Sequence, residues 1–155
     1  TPSPTPWHQY LVQQLAFALA DHLGTDDRHR ILTDGPDLVV DETNIYRPDV
    51  MVLPEGMRAT GPDWRLPTPV WIAEVLSPST AGFDRGAKLD GYGRAGVVEA
   101  WLVDPETCRI TVVDLPSRTH TIFGASPVSG GNIVHGTVLP GFRRDVERYF
   151  ASASG

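Results

Sequence analysis

A chain of 155 residues with 41% hydrophobic and 21% charged side chains can bury a sizeable core, and this composition excludes a disordered or fibrous polypeptide. The net charge of -6 argues against a broad basic face that coats nucleic acid, but leaves room for a local basic groove or a bound cation. The single cysteine, Cys108, excludes an internal disulfide; with no apolar run of spanning length and no signal-peptide pattern, a cytoplasmic protein away from the membrane is expected.

The chain opens on the Pro-spaced segment TPSPTP over 1–6, which favours an extended connection and, lacking an initiator methionine, reads as the continuation of something upstream. From Trp7 to Leu23 the recurrence of Leu11, Leu15, Ala18, Leu19 and His22 predicts a helix, stopped by Gly24. RILTD and DLVVD then predict two short strands around the Gly35-Pro36 turn, and YRPDVMVLP a further strand entered through Pro48. The Gly- and Pro-containing stretch from Glu55 to Pro67 reads as a loop with room for a short helix.

PVWIAEVL is the central strand. A turn over Ser77–Gly82 leads to Asp84, placed to cap a helix that runs to about Ala95 and is weakened by Gly91 and Gly93 by roughly 1 kcal/mol each. VEAWLVD, RITVVDL and THTIFG predict a meander. GNIVHGTVLPGF reads as a last strand pair and RDVERYF as a closing helix. The order of elements implies a single α/β domain over 1–155, with a mixed sheet flanked by helices.

Glu74 raises the functional question, because it interrupts VWIAEVLS, the most apolar run in the chain. A glutamate is rarely buried without a partner, and an isolated ionised carboxylate there is costly. If PDVMV and IAEVL are neighbouring strands, alternation sets Asp49 with Met51 and Leu53, and Glu74 with Ile72 and Leu76. Opposed side chains on paired strands lie about 5 Å apart, close enough for two carboxylates to share one cation. Carboxylates at that distance raise each other's pKa unless a cation intervenes; a hard ion such as Mg²⁺ or Mn²⁺ answers both problems. The sole lysine, Lys88, lies on the following helix, from which it can return over the end of the Glu74 strand. There it could orient a water or stabilise charge on phosphorus. Tyr92 follows four residues later on the same helix face.

Pro48-Asp49 followed by Glu74 in a hydrophobic strand resembles the PD-(D/E)XK nuclease superfamily. More narrowly, EVLSPST, DRGAKLDGYGRAGV and EAWLVDP resemble a large bacterial family of restriction-endonuclease-like proteins, the likeness running from about His8 to Pro105. The resemblance implies a restriction-endonuclease-like core and metal-dependent hydrolysis of phosphodiester bonds in DNA by a homodimer. It makes Asp49 and Glu74 the metal ligands; the backbone carbonyl of Val75 is a further candidate ligand. Leu76 stands where the superfamily's usual lysine would be, and Lys88 resembles a relocated lysine. Relatives also carry an upstream segment with another glutamate, which would lie before Thr1.

Each candidate has a plainer reading. Glu74 could be a structural carboxylate paired with Arg47 or Arg94, and Lys88 a surface partner of Asp84 at i,i+4. Taken alone, Asp49 is a polar residue at a strand entrance. His8 reads as a water-facing helix residue before it reads as a ligand, and His22 as partly buried. Asp84, Tyr92 and His8 are candidates for supporting the site from outside its ligand set. Arg58, Arg85 and Arg94 could meet phosphates or simply face solvent. The absence of a G-x-S-x-G elbow argues against a serine hydrolase. The rivals to a DNase are an inactive nuclease-fold module that binds DNA or protein, and an enzyme acting on RNA or branched nucleic acid.

Overall fold

A computed structural model describes residues 5–58, 66–77 and 85–154. Helix α1 spans Pro6–Leu23: the Thr5 side chain accepts the His8 amide, Pro6 starts the first turn, and Gly24 ends the helix at φ 80°. The strands are β1 (Ile31–Thr33), β2 (Leu38–Val39), β3 (Ile45–Tyr46), β4 (Val50–Val52) and β5 (Trp71–Val75). Helix α2 (Arg85–Ala95) precedes β6 (Glu99–Asp104), β7 (Arg109–Asp114) and β8 (Thr119–Phe123). The hairpin β9 (Ile133–His135) and β10 (Arg143–Asp145) then leads into α3 (Val146–Ser154). Among the described residues no helix is long and apolar enough to cross a membrane.

A six-stranded mixed sheet of order β1-β4-β5-β6-β7-β8 forms the middle of the fold. Within it β5 and β6 run parallel, joined over one face of the sheet by α2, and the other neighbours are antiparallel. Alternation along the strands sends Val50, Val52, Trp71, Ala73, Trp101 and Val103 to one face, where α1, α3 and the segment leading into β10 cover them. Met51, Ile72, Ala100, Leu102 and Val113 point to the other, under Leu89 and Tyr92 of α2. The central strands are thus buried on both sides, which is why they read as continuous apolar runs.

The two short strands predicted around Gly35-Pro36 are present, and each takes its partner elsewhere: β1 joins β4 and β2 joins β3. Local turn chemistry placed the reversal, but non-local pairing chose the partners. The last strand pair ends in Arg143–Asp145 rather than in VLPGF, with Asn132 and Asp145 side chains receiving the Glu147 and Arg148 amides as α3 begins.

Candidate active site at the end of β4 and β5

The β4–β5 register pairs Val50 with Ala73, Met51 with Ile72 and Val52 with Trp71. One further step sets Asp49 opposite Glu74, and the next sets Pro48 opposite Val75. Proline has no N–H, so the ladder cannot continue, and the Val75 peptide finds other partners. Its amide donates to Asp49 Oδ2 at 2.7 Å, and its carbonyl accepts from His8 Nε2 at 2.9 Å. The Pro-Asp pair therefore ends the pairing: the Val75 carbonyl is left without a ladder donor, and the Asp49 carboxylate is tied to the Val75 amide beside it.

Glu74 lies on the α2 face of the sheet. Tyr92 donates its hydroxyl hydrogen to Glu74 Oε1, and Lys88 Nζ stands 3.9 Å from the same oxygen. The Glu74 side chain is 12% exposed and that of Lys88 36%. Burial pushes the Glu74 carboxyl up to about 7, with the Asp49 charge adding to the rise and Lys88 opposing it. Burial and the adjacent Glu74 charge also push the Tyr92 phenol far up, so it remains a hydrogen-bond donor. His8 is half-buried, with Nε2 3.6 Å from Asp49 Oδ2. The Asp49 carboxylate raises its pKa against the effect of burial.

Asp49, Glu74, Val75, Lys88, Tyr92 and His8 thus come together. Arg47 and Arg94 do not partner Glu74, because they pair with Asp37 and Asp41. His8 is not a water-facing residue: the first turn of α1 lies against the end of β5, which turns its ring inward. His22 is exposed rather than partly buried; its Nε2 donates to the Pro140 carbonyl and its ring leans on Phe142. Arg58 and Arg85 are exposed, and Asp84 lies outside the described residues.

Sequence reasoning missed two features. Tyr46 packs edge-on against Tyr92, its ring lying where a Cβ at Gly91 would be, 2.5 Å from Tyr46 Cε2. Gly91 is therefore what lets α2 seat Tyr92 and Lys88 near Glu74. Glu99 is a second buried carboxylate, 3% exposed on the opposite face. It accepts from Trp101 Nε1 at 2.9 Å and from the Thr137 and Val138 amides at 2.9 and 3.3 Å. Those donors satisfy it as a structural clamp, whereas Glu74 has too little positive charge around it.

Among the described residues no three His, Cys, Asp or Glu side chains are gathered into a ready-made metal cage. The donor set nonetheless fits a hard divalent ion, which is commonly held by one or two carboxylates with the remaining positions left to water and substrate. Two opposed carboxylates, a carbonyl without a ladder donor and a Glu74 proton retained to about pH 7 describe a site short of positive charge.

The sequence profile of the Uma2 family, described as "Putative restriction endonuclease", matches residues 1–147. An uncharacterised protein of Synechocystis sp. (strain ATCC 27184 / PCC 6803 / Kazusa) is 28% identical over 102 residues. That match takes in 65% of this chain and 58% of the other, so a substantial part of the relative lies beyond it. A crystal structure from Anabaena variabilis ATCC 29413, described as "a putative nuclease belonging to DUF820", superposes with a TM-score of 0.70. It shares 14% identity, over 98% of this chain and 84% of that one, which establishes a common fold. With the profile matching nearly its whole length, the chain belongs to the Uma2 restriction-endonuclease-like family.

Proposed function

We propose that the protein is a divalent-metal-dependent endonuclease that hydrolyses phosphodiester bonds in DNA. The observation that carries this reading is the pair Asp49 and Glu74 at the end of β4 and β5, beside a Val75 carbonyl that Pro48 leaves without a ladder donor. Asp49, Glu74 and that carbonyl would hold Mg²⁺ or Mn²⁺. When bound, such an ion supplies positive charge to the phosphate and makes a water more acidic. Asp49 is held in place by the Val75 amide, and Glu74 by Tyr92 and Lys88. The Lys88 ammonium orients the attacking water and offsets negative charge developing on the phosphate oxygens. A homodimer in the cytoplasm, with one site for each strand, belongs to the same reading.

Plasmid nicking with Mg²⁺ and with Mn²⁺ tests the proposal, with Glu74→Ala and Lys88→Ala beside the wild type. Metal-dependent nicking lost in both variants is expected. Nicking that persists in Glu74→Ala would refute this site. Metal binding without nicking of DNA, but with cleavage of RNA, would replace the substrate.

A further inference from the structure

We infer that His8 is a nitrogen ligand of the ion at this site, and that the site takes Mn²⁺ in preference to Mg²⁺. The inference rests on the metal-dependent reading above. His8 Nε2 faces two of the donors proposed there, 2.9 Å from the Val75 carbonyl and 3.6 Å from Asp49 Oδ2. Neighbouring ligands of an ion with bonds of about 2.1 Å stand about 3 Å apart; the 2.9 Å separation from the Val75 carbonyl matches that spacing, and Asp49 Oδ2 at 3.6 Å has to close on the ring as the ion binds. The bridge that the Nε2 proton makes to the carbonyl is the bridge a cation would make.

The position of the ring is built into the fold. Thr5 caps α1 through the His8 amide, and Leu11, Val12 and Leu15 anchor the helix in the core one to two turns later. The ring therefore reaches the end of β5 from a rigid element rather than from a loop. Imidazole suits later transition metals and is tolerated by Mn²⁺, whereas Mg²⁺ keeps to oxygen donors. Among the described residues no partner meets the buried Nδ1, so ligation through Nε2 buries the ring's remaining proton unpaired. His8 thus contributes selectivity more than tightness, since outer support of a ligating histidine strengthens binding.

Pulsed EPR of the Mn²⁺-loaded full chain tests this, because directly coordinated imidazole imprints a ¹⁴N modulation on the manganese echo. The modulation is expected in the wild type and absent from His8→Gln. That variant should bind Mn²⁺ roughly tenfold more weakly, the low end of the range typical for residues around a metal, and its preference over Mg²⁺ should narrow. Mn²⁺ bound in a Glu74-dependent manner without ¹⁴N modulation would overturn the role of His8 and leave the nuclease reading standing. A modulation that survives in folded His8→Gln would also overturn it. No Mn²⁺ binding to the wild type would overturn both. The wild-type spectrum decides even if His8→Gln fails to fold.

Discussion

Glu74→Gln removes a charge the fold does not welcome, and the consequence can be worked out with its sign. The carboxyl is raised from an ordinary 4.5 to about 7, chiefly by burial. Below pH 4.5 it is protonated whether the chain is folded or not, and it contributes no pH dependence. Between pH 4.5 and 7 the unfolded chain has released the proton while the folded one keeps it, so stability falls as pH rises. Above 7 the penalty is complete. At about 1.4 kcal/mol per pH step, that interval amounts to about 3 kcal/mol. The substituted amide keeps the shape of the side chain and an oxygen that accepts from Tyr92, but it cannot ionise. Thermal unfolding of both proteins in chelator from pH 4 to 8 should show the variant gaining on the wild type by about 10 °C, at roughly 2–4 °C per kcal/mol for a chain of this size. The raised pKa of His8 also costs stability as pH rises above 6.5, but it acts in both proteins and largely cancels in the difference. A melting gap that stays constant from pH 4.5 to 7 would refute the account of a buried, charge-starved carboxylate.

Pro48→Ala restores an N–H opposite Val75; hydrogen exchange should show residue 48 protected, and Mn²⁺ titration should show weaker binding without loss of stability. Gly93→Ala meets open space and should stabilise α2 by up to about 1 kcal/mol in denaturant melts. Gly91→Ala drives a Cβ into Tyr46 and should instead destabilise by about 1–3 kcal/mol, shifting Tyr92 resonances in NMR spectra. Glu99→Ala leaves the Trp101 indole and two backbone amides without their acceptor and should cost about 3 kcal/mol in chemical unfolding. The same variant should leave Mn²⁺ binding intact, because Glu99 lies on the other face of the sheet.

Much of the fold was legible in the chain. The 3–4 spacing of Leu11, Leu15 and Leu19 marked α1, and the continuous apolar runs around Ile72 and Leu102 marked strands buried on both faces. Asp49 and Glu74 stood out because period-two alternation needs only the assumption that two strands are neighbours. Strand partners were less legible, since Gly35-Pro36 encodes a turn but not which strand receives β1. Gly91 and Gly93 look alike as helix-weakening residues, and only the Tyr46 ring beside one of them tells them apart.

The two buried glutamates divide what the sequence determined from what tertiary structure decided. Each stands in an apolar strand, but only Glu74, in the middle of the most apolar run, stood out in the sequence; Glu99, at the start of β6, did not. Whether such a carboxylate is satisfied depends on donors far away in the chain. Glu99 is closed by amides 38 and 39 residues downstream, while the Val75 carbonyl beside Glu74 is met by a histidine 67 residues upstream. Local pattern carried the burial of Glu74, but the electrostatic balance around a buried carboxylate is a sum over neighbours that only packing brings together. That sum leaves Glu99 a structural clamp and Glu74 the residue that calls for a cation.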